Sequence, residues 1–197
     1  MPTTWNPADK TGNTTLSNGN LTSAFSTTND GVRSVYSDSA GKWYWEAIFT
    51  SGAGAGVGFA NASAVLGTVW STNGVNAVLY KNGSTYVNGV SQGVSITFLF
   101  RTFGIAIDFA AQRVWLKNVT DGGNWNNNVS ADPATNVGGV NIAAIGSPLF
   151  ALLAGGSNNW TANFGATAFA GTVPSGFTVG FGPAAASAAM ARAMILA

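Results

Sequence analysis

Between Lys42 and Phe49 apolar and polar positions alternate with period two. Trp43, Trp45, Ala47 and Phe49 fall on one face, and Lys42, Tyr44, Glu46 and Ile48 on the other. This is the pattern of a strand with one buried face. Phe103–Phe109 repeats it: Phe103, Ile105, Ile107 and Phe109 point one way, Gly104, Ala106 and Asp108 the other. The small residues on that second face predict close approach by another layer or loop. A turn at Ala110-Ala111-Gln112 leads into Arg113–Lys117, the second arm of a hairpin. Gly56–Ala60, Val94–Phe100, Phe150–Ala154 and Trp160–Phe164 are further strand candidates.

Turn chemistry separates these runs. Asn-Gly occurs at Asn18-Gly19, Asn73-Gly74, Asn82-Gly83 and Asn88-Gly89, and both residues suit the positive φ of tight hairpin turns. Leu16–Leu21 and Tyr80–Tyr86 therefore read as hairpin tips. Ser23–Ser39, Ala62–Asn76 and Asp121–Ile142 read as long irregular segments, which in a compact domain are commonly functional. No window before residue 183 has a helical period. Short strands at this spacing predict an all-β antiparallel sandwich over residues 1–182.

Residues 183–197 differ. Pro183 opens a run of Ala with Met190, Met194, Ile195 and Leu196. These are strong helix formers, apolar on every side, and such helices are normally buried. The segment is expected to be a helical or extended assembly anchor, too short and too Ala-rich to span a membrane. The expected host is a second copy or another protein, because both sheets are expected to present polar outer faces.

Composition narrows the chemistry. Charged residues are 8% of 197, against ~25% in an average soluble protein, and the net charge is +1. Eight cations make a phosphate-tracking surface for nucleic acid unexpected. The absence of Cys and His excludes disulfides, Cys/His zinc sites, Cys nucleophiles and His bases. Met1–Trp5 lacks a basic region and an apolar run, so no signal peptide is expected. The seven Asn-x-Ser/Thr sites then read as turn chemistry rather than glycan acceptors.

Glu46 and Asp108 are the one pair of carboxylates placed on strands and suited to glycoside hydrolysis. Lys42 beside Glu46 and Arg113 beside Asp108 favour ion pairs or turn hydrogen bonds instead. Gly52–Gly58 lacks the Lys-Ser/Thr and following helix of a phosphate loop, and reads as a turn feeding a Gly-rich strand. Binding candidates are Trp70, Tyr86 and Trp125, aromatic residues in or beside polar loops, with Asn124 and Asn126 as hydrogen-bonding neighbours. Trp125 is the best exposed candidate; Trp43, Trp45 and Trp115 are expected in the core.

Several blocks together resemble the SPRY domain. Ala40-Gly41-Lys42-Trp43-Tyr44-Trp45-Glu46 is similar to its opening "SGKWYWEV" strand, and Ala55–Ala60 to the "IGVG" strand after it. Phe103–Phe109 with Arg113–Asn118 resembles the "GVALDLDAGKLWFYKNG" hairpin. Thr161–Gly165 followed by Pro174–Phe177 resembles "ANFG…PP.GF". The opening Trp5-Asn6-Pro7-Ala8-Asp9-Lys10, with Leu16–Leu21, is similar to the variant common in bacteriophage proteins. Departures are Ala110-Ala111-Gln112 for an Asp/Gly-rich turn and Asn118-Val119 for Asn-Gly.

The resemblance implies a bent antiparallel β-sandwich that binds through surface loops, without catalysis or cofactor. It implies a bacteriophage structural protein located on the virion and assembled in the host cytoplasm: a head decoration, collar or tail-fibre component. Its partners would be other virion proteins or copies of itself. The alternative is an adhesion module for a host surface glycan or receptor. No membrane insertion is expected.

Overall fold

The computed structural model describes residues 3–97 and 100–182; the expected anchor at 183–197, with Met190, Met194, Ile195 and Leu196, lies outside the described residues. Fifteen strands follow in order: β1 (Trp5–Lys10), β2 (Thr14–Ser17), β3 (Thr22–Phe25), β4 (Asp30–Asp38), β5 (Lys42–Gly52), β6 (Ala55–Ala60), β7 (Ala77–Lys81), β8 (Ser84–Val87), β9 (Val90–Ser95), β10 (Thr102–Asp108), β11 (Arg113–Asn118), β12 (Val140–Asn141), β13 (Leu149–Gly155), β14 (Asn158–Asn163) and β15 (Thr178–Val179). One sheet runs β1-β4-β13-β6-β7-β8-β9. The other runs β12-β11-β10-β5-β14-β3-β2, with β15 added in parallel along the start of β5. All other pairings are antiparallel, and the fold is the expected all-β sandwich.

The alternation read from the sequence sets the inner layer. Trp45, Ala47 and Phe49 of β5 and Phe103, Ile105 and Ile107 of β10 meet Val57 and Phe59 of β6, Val78 and Tyr80 of β7, and Leu153 of β13. Registers Ile105↔Trp45 and Ile107↔Trp43 keep these faces aligned. Trp43 is only half-buried at the rim, its indole N–H donating to Ala40 O at 2.9 Å. Trp115 is buried, but on the opposite face of its sheet from this core.

The outer faces are not the polar surfaces that the sequence led us to expect. Residues 61–76 cover the first sheet, placing Ala64, Leu66, Val69 and Trp70 against Leu79, Leu152 and Ala154. The second sheet carries Tyr44, Ala106, Trp115 and Phe177 under Trp125, Ala131, Phe169 and Val173. The small face of β10 makes this possible: a Cβ on Gly104 would collide with the Tyr44 ring.

Two strand expectations change. Ser23–Ser39 is not a loop; it contains most of β3 and all of β4, a central strand. The candidate at Val94–Phe100 is displaced toward the N-terminus, because Asn88-Gly89 forms a tight turn between Val87 and Val90. The other Asn-Gly tips stand where expected, with Lys81 paired to Ser84 and Ser17 to Thr22.

Charge is scarce, and the chain spends it on loops. Arg33, 8% exposed, binds Asp9 at 2.7 and 2.9 Å and donates to the carbonyls of Asn61 and Ala64. Asp30 accepts from the Thr11 hydroxyl, the Ser26 and Thr27 amides and the Thr27 hydroxyl. Such buried ions persist because Arg33 uses four of its five N–H groups and Asp30 both of its carboxylate oxygens.

Candidate functional site

The two carboxylates on strands are occupied structurally. Glu46 accepts from the Tyr44 hydroxyl at 2.8 Å and from the amides of Ala170 and Gly171 at 3.0 and 2.7 Å. It thereby clamps the 165–177 segment onto the second sheet. Asp108 pairs with Lys42 at 3.0 Å and accepts from the Ala111 amide in the hairpin turn; Arg113 instead donates to Gly139 O. Asp108 is opposite Lys42 and Glu46 opposite Gly104. The two acids are thus four residues apart along the strands, about 13 Å. A glycosidase pair needs ~5–9.5 Å. Among the described residues no group of three or more Asp, Glu, Cys or His could hold a metal ion, and no helix is long and apolar enough to cross a membrane.

The segment after β11 is built differently from a solvated turn. Residues Trp125–Asn127 form a single 3-10 turn in which Asn126 has φ +48 and Asn127 φ +54. Asn tolerates this left-handed region better than other side chains with a Cβ. The conformation drives the Asn126 amide inward, where it is 5% exposed. Its Oδ1 accepts from the Tyr80 hydroxyl at 2.9 Å and the Leu116 amide at 3.0 Å. Its Nδ2 donates to Val114 O at 3.2 Å and Gly138 O at 2.9 Å. One side chain therefore joins β7 of the first sheet, β11 of the second, and the neighbouring loop. Asn126 is not the contact residue expected from the sequence, because all of its hydrogen-bonding capacity is used internally.

Around that anchor, Asn124 and Asn127 are exposed and line a groove of about 150 Å³ with Ile96, Thr97, Asn118 and Asp121. Asp121 accepts from Arg101 Nε at 2.7 Å and Asn118 Nδ2 at 2.9 Å. The Arg101 hydrogen bond holds its carboxyl below the usual carboxylate range. On the other side of the loop Trp125 is half-buried. Its ring meets Tyr44 edge-on at 6.3 Å, and Lys117 Nζ stands 5.9 Å from its centroid. Val129, 86% exposed, follows on the same loop.

The other two aromatic candidates lie elsewhere. Trp70 is 7% exposed on the outer face of the first sheet, with Lys81 Nζ 4.5 Å over its ring. Lys81 also donates to Trp70 O and Asn73 Oδ1, each at 2.7 Å. A Cβ on Gly56 would come within 3.0 Å of the indole, so the Gly-rich strand is the seat for this ring. Trp70 is thus a packing residue, not an open platform for a ligand. Tyr86 is half-buried opposite Leu79 on that same sheet. Only Asn124, Trp125 and Asn126 are brought together, and Asn127, missed in the sequence, joins them.

No family model matches the chain, and no curated protein matches it in sequence. Solved structures do resemble it. The SPRY domain of human HERC1 superposes with a TM-score of 0.60 at 11% identity, covering 80% of this chain and 96% of that one. The TRIM65 PSpry domain gives 0.60 at 12% identity, covering 83% and 92%. The described sandwich therefore has the SPRY-like fold.

Proposed function

We propose that the chain is a non-enzymatic interaction module whose binding surface is the loop 121–129. The observation that carries this reading is the loop's internal scaffold. Asn126 fixes the backbone from within while Asn124, Asn127 and Val129 face outward. A loop ordered before binding loses little conformational entropy when a partner arrives. Trp125, half-exposed beside Lys117, supplies the large apolar contact that such surfaces favour.

The setting we propose is a bacteriophage particle, on which the domain is displayed as a head decoration, collar or tail-fibre component. The opening block Trp5–Lys10 with Leu16–Leu21 supports the bacteriophage setting through its sequence resemblance. Sparse charge and a net charge near zero suit a protein held in an assembly. In this reading residues 183–197 attach the module to its own copies or to a larger virion protein. The test is mass-spectrometric detection in purified particles of the full chain and of a chain ending at Gly182. The full chain is expected in particles and the shortened one lost from them, with its sandwich intact. Absence of the full chain would overturn the virion reading; equal incorporation would place attachment on the sandwich.

The second reading is adhesion to a host surface glycan or receptor, which Trp125 flanked by Asn124, Asn127 and Asn128 favours. It predicts that Trp125→Ala abolishes binding to host envelopes while leaving incorporation unchanged.

A further inference from the structure

We propose that Asn18, at the tip of the β2–β3 hairpin, is the chain's leading site of spontaneous deamidation. Four asparagines precede glycine, and glycine leaves the following backbone nitrogen unshielded. In this reaction the Gly19 nitrogen attacks Asn18 Cγ. The new N–Cγ bond forms as the Cγ–Nδ2 bond breaks, and ammonia departs with the proton lost by the Gly19 amide. Water then opens the resulting succinimide at either carbonyl, giving aspartate or isoaspartate. No oxidant, reductant or cofactor takes part.

The asparagine φ does not separate the four sites: Asn18, Asn73, Asn82 and Asn88 have φ of 52°, 55°, 47° and 48°. Their side chains do. Asn73 Oδ1 accepts from Lys81 Nζ at 2.7 Å, Asn82 Oδ1 from the Ala55 amide at 3.0 Å, and Asn88 Oδ1 from the Asn76 amide at 3.0 Å. Each bond holds the carboxamide in place and restricts the rotation that brings Cγ onto the next nitrogen. Asn18 is exposed, and among the described residues its side chain makes no hydrogen bond. Its loop is also longer, with Ser17 paired to Thr22, whereas Lys81–Ser84 and Val87–Val90 close directly over two residues. Nothing lies within 4 Å of a Cβ built on Gly19.

The change is not neutral for the molecule. It takes the net charge from +1 to zero. It also falls beside Asn20 O and Leu21 O, which accept from the Trp5 amide and indole N–H at 2.9 and 3.1 Å. An isoaspartate would insert a backbone methylene next to the contacts that seat β1.

The experiment is peptide mapping by mass spectrometry through a time course at mildly alkaline pH. It uses the full chain, folded and in guanidinium. In the folded protein Asn18 should lose its amide at least about fivefold faster than the other three, the factor set by one net hydrogen bond. In guanidinium the four rates should converge. The proposal is overturned if Asn73, Asn82 or Asn88 keeps pace with Asn18 in the folded chain. It is equally overturned if Asn18 keeps the same lead in denaturant.

Discussion

The Tyr80 hydroxyl donates to Asn126 Oδ1 at 2.9 Å across the interior of the sandwich. Tyr80 belongs to β7 of one sheet, and Asn126 to the loop that folds back on β11 of the other. Burial pushes the Tyr80 phenol far above its ordinary value, so it stays a donor throughout the range in which the protein is folded. The loop's outward face is set by this inward bond and by the three others that Asn126 makes.

Asn126→Ala should destabilise the protein by about 2–4 kcal/mol. It leaves the Tyr80 hydroxyl, the Leu116 amide and two carbonyls without their partner in a buried site. Tyr80→Phe removes one bond and should cost about 1 kcal/mol. Urea midpoints of the two single variants and the double variant give the coupling. Additive losses would mean that the bond carries no interaction energy.

That keystone was not legible in the sequence. Asn124 and Asn126 beside Trp125 read as hydrogen-bonding neighbours on a binding loop, and nothing local says which amide turns inward. The legible parts were those whose alternation matches one buried face: β5, β10 and their hairpin partner β11. β4 was hidden because Asp30, Arg33 and Ser34 are buried on it, and Arg33 is tolerable there only through Asp9 and the carbonyls of a distant loop. Trp70 was misread for the same reason. Its seat is made by a glycine and a lysine on other strands, which no local pattern reveals.

Glu46→Gln should destabilise by about 2 kcal/mol, because the charged acceptor of three hydrogen bonds becomes a neutral amide that presents a donor to a donor. The loss should be local first. The 165–177 segment, held by the Ala170 and Gly171 amides, should become a preferred site of limited proteolysis while the sandwich persists. Unchanged cleavage kinetics and an unchanged urea midpoint would remove the clamp assigned to Glu46.

Alkaline pH should unfold the protein with phenolate formation. Burial, and then the hydrogen bond to the Asp38 carboxylate at 2.7 Å, push Tyr36 from 10.0 up to about 12. Burial and the Glu46 hydrogen bond push Tyr44 up further. A folded value above the unfolded one stabilises the fold fully below pH 10.0 and is lost as pH rises through about 12. Phenolate absorbance and circular dichroism should therefore change together in that window. Ionisation of these tyrosines well below it, with the dichroism intact, would contradict the packing around Tyr36 and Tyr44.

The edge strand β9 should be kept from self-pairing by its bulge. Val90–Ser95 has no charge and no proline, and Val90 is 65% exposed, which makes it an adhesive free edge. By contrast β1, the opposite edge of its sheet, carries Pro7, Asp9 and Lys10. In β9 the pairing shifts between Tyr86↔Ser91 and Ser84↔Ser95, so Gln92, Gly93 and Val94 face Thr85 alone. Gly93 takes φ +69, and Gln92 Nε2 donates to Val90 O at 2.9 Å, covering a carbonyl of the strand. Deleting Gln92 and Gly93 would align Val94 with Thr85 and leave a flat Val-Ser-Val-Ser edge. The deleted variant should show a concentration-dependent rise in light-scattering mass over the parent chain, with more β signal per residue. A mass equal to the parent's at every concentration would mean that some other feature of the edge, rather than the bulge, keeps copies apart.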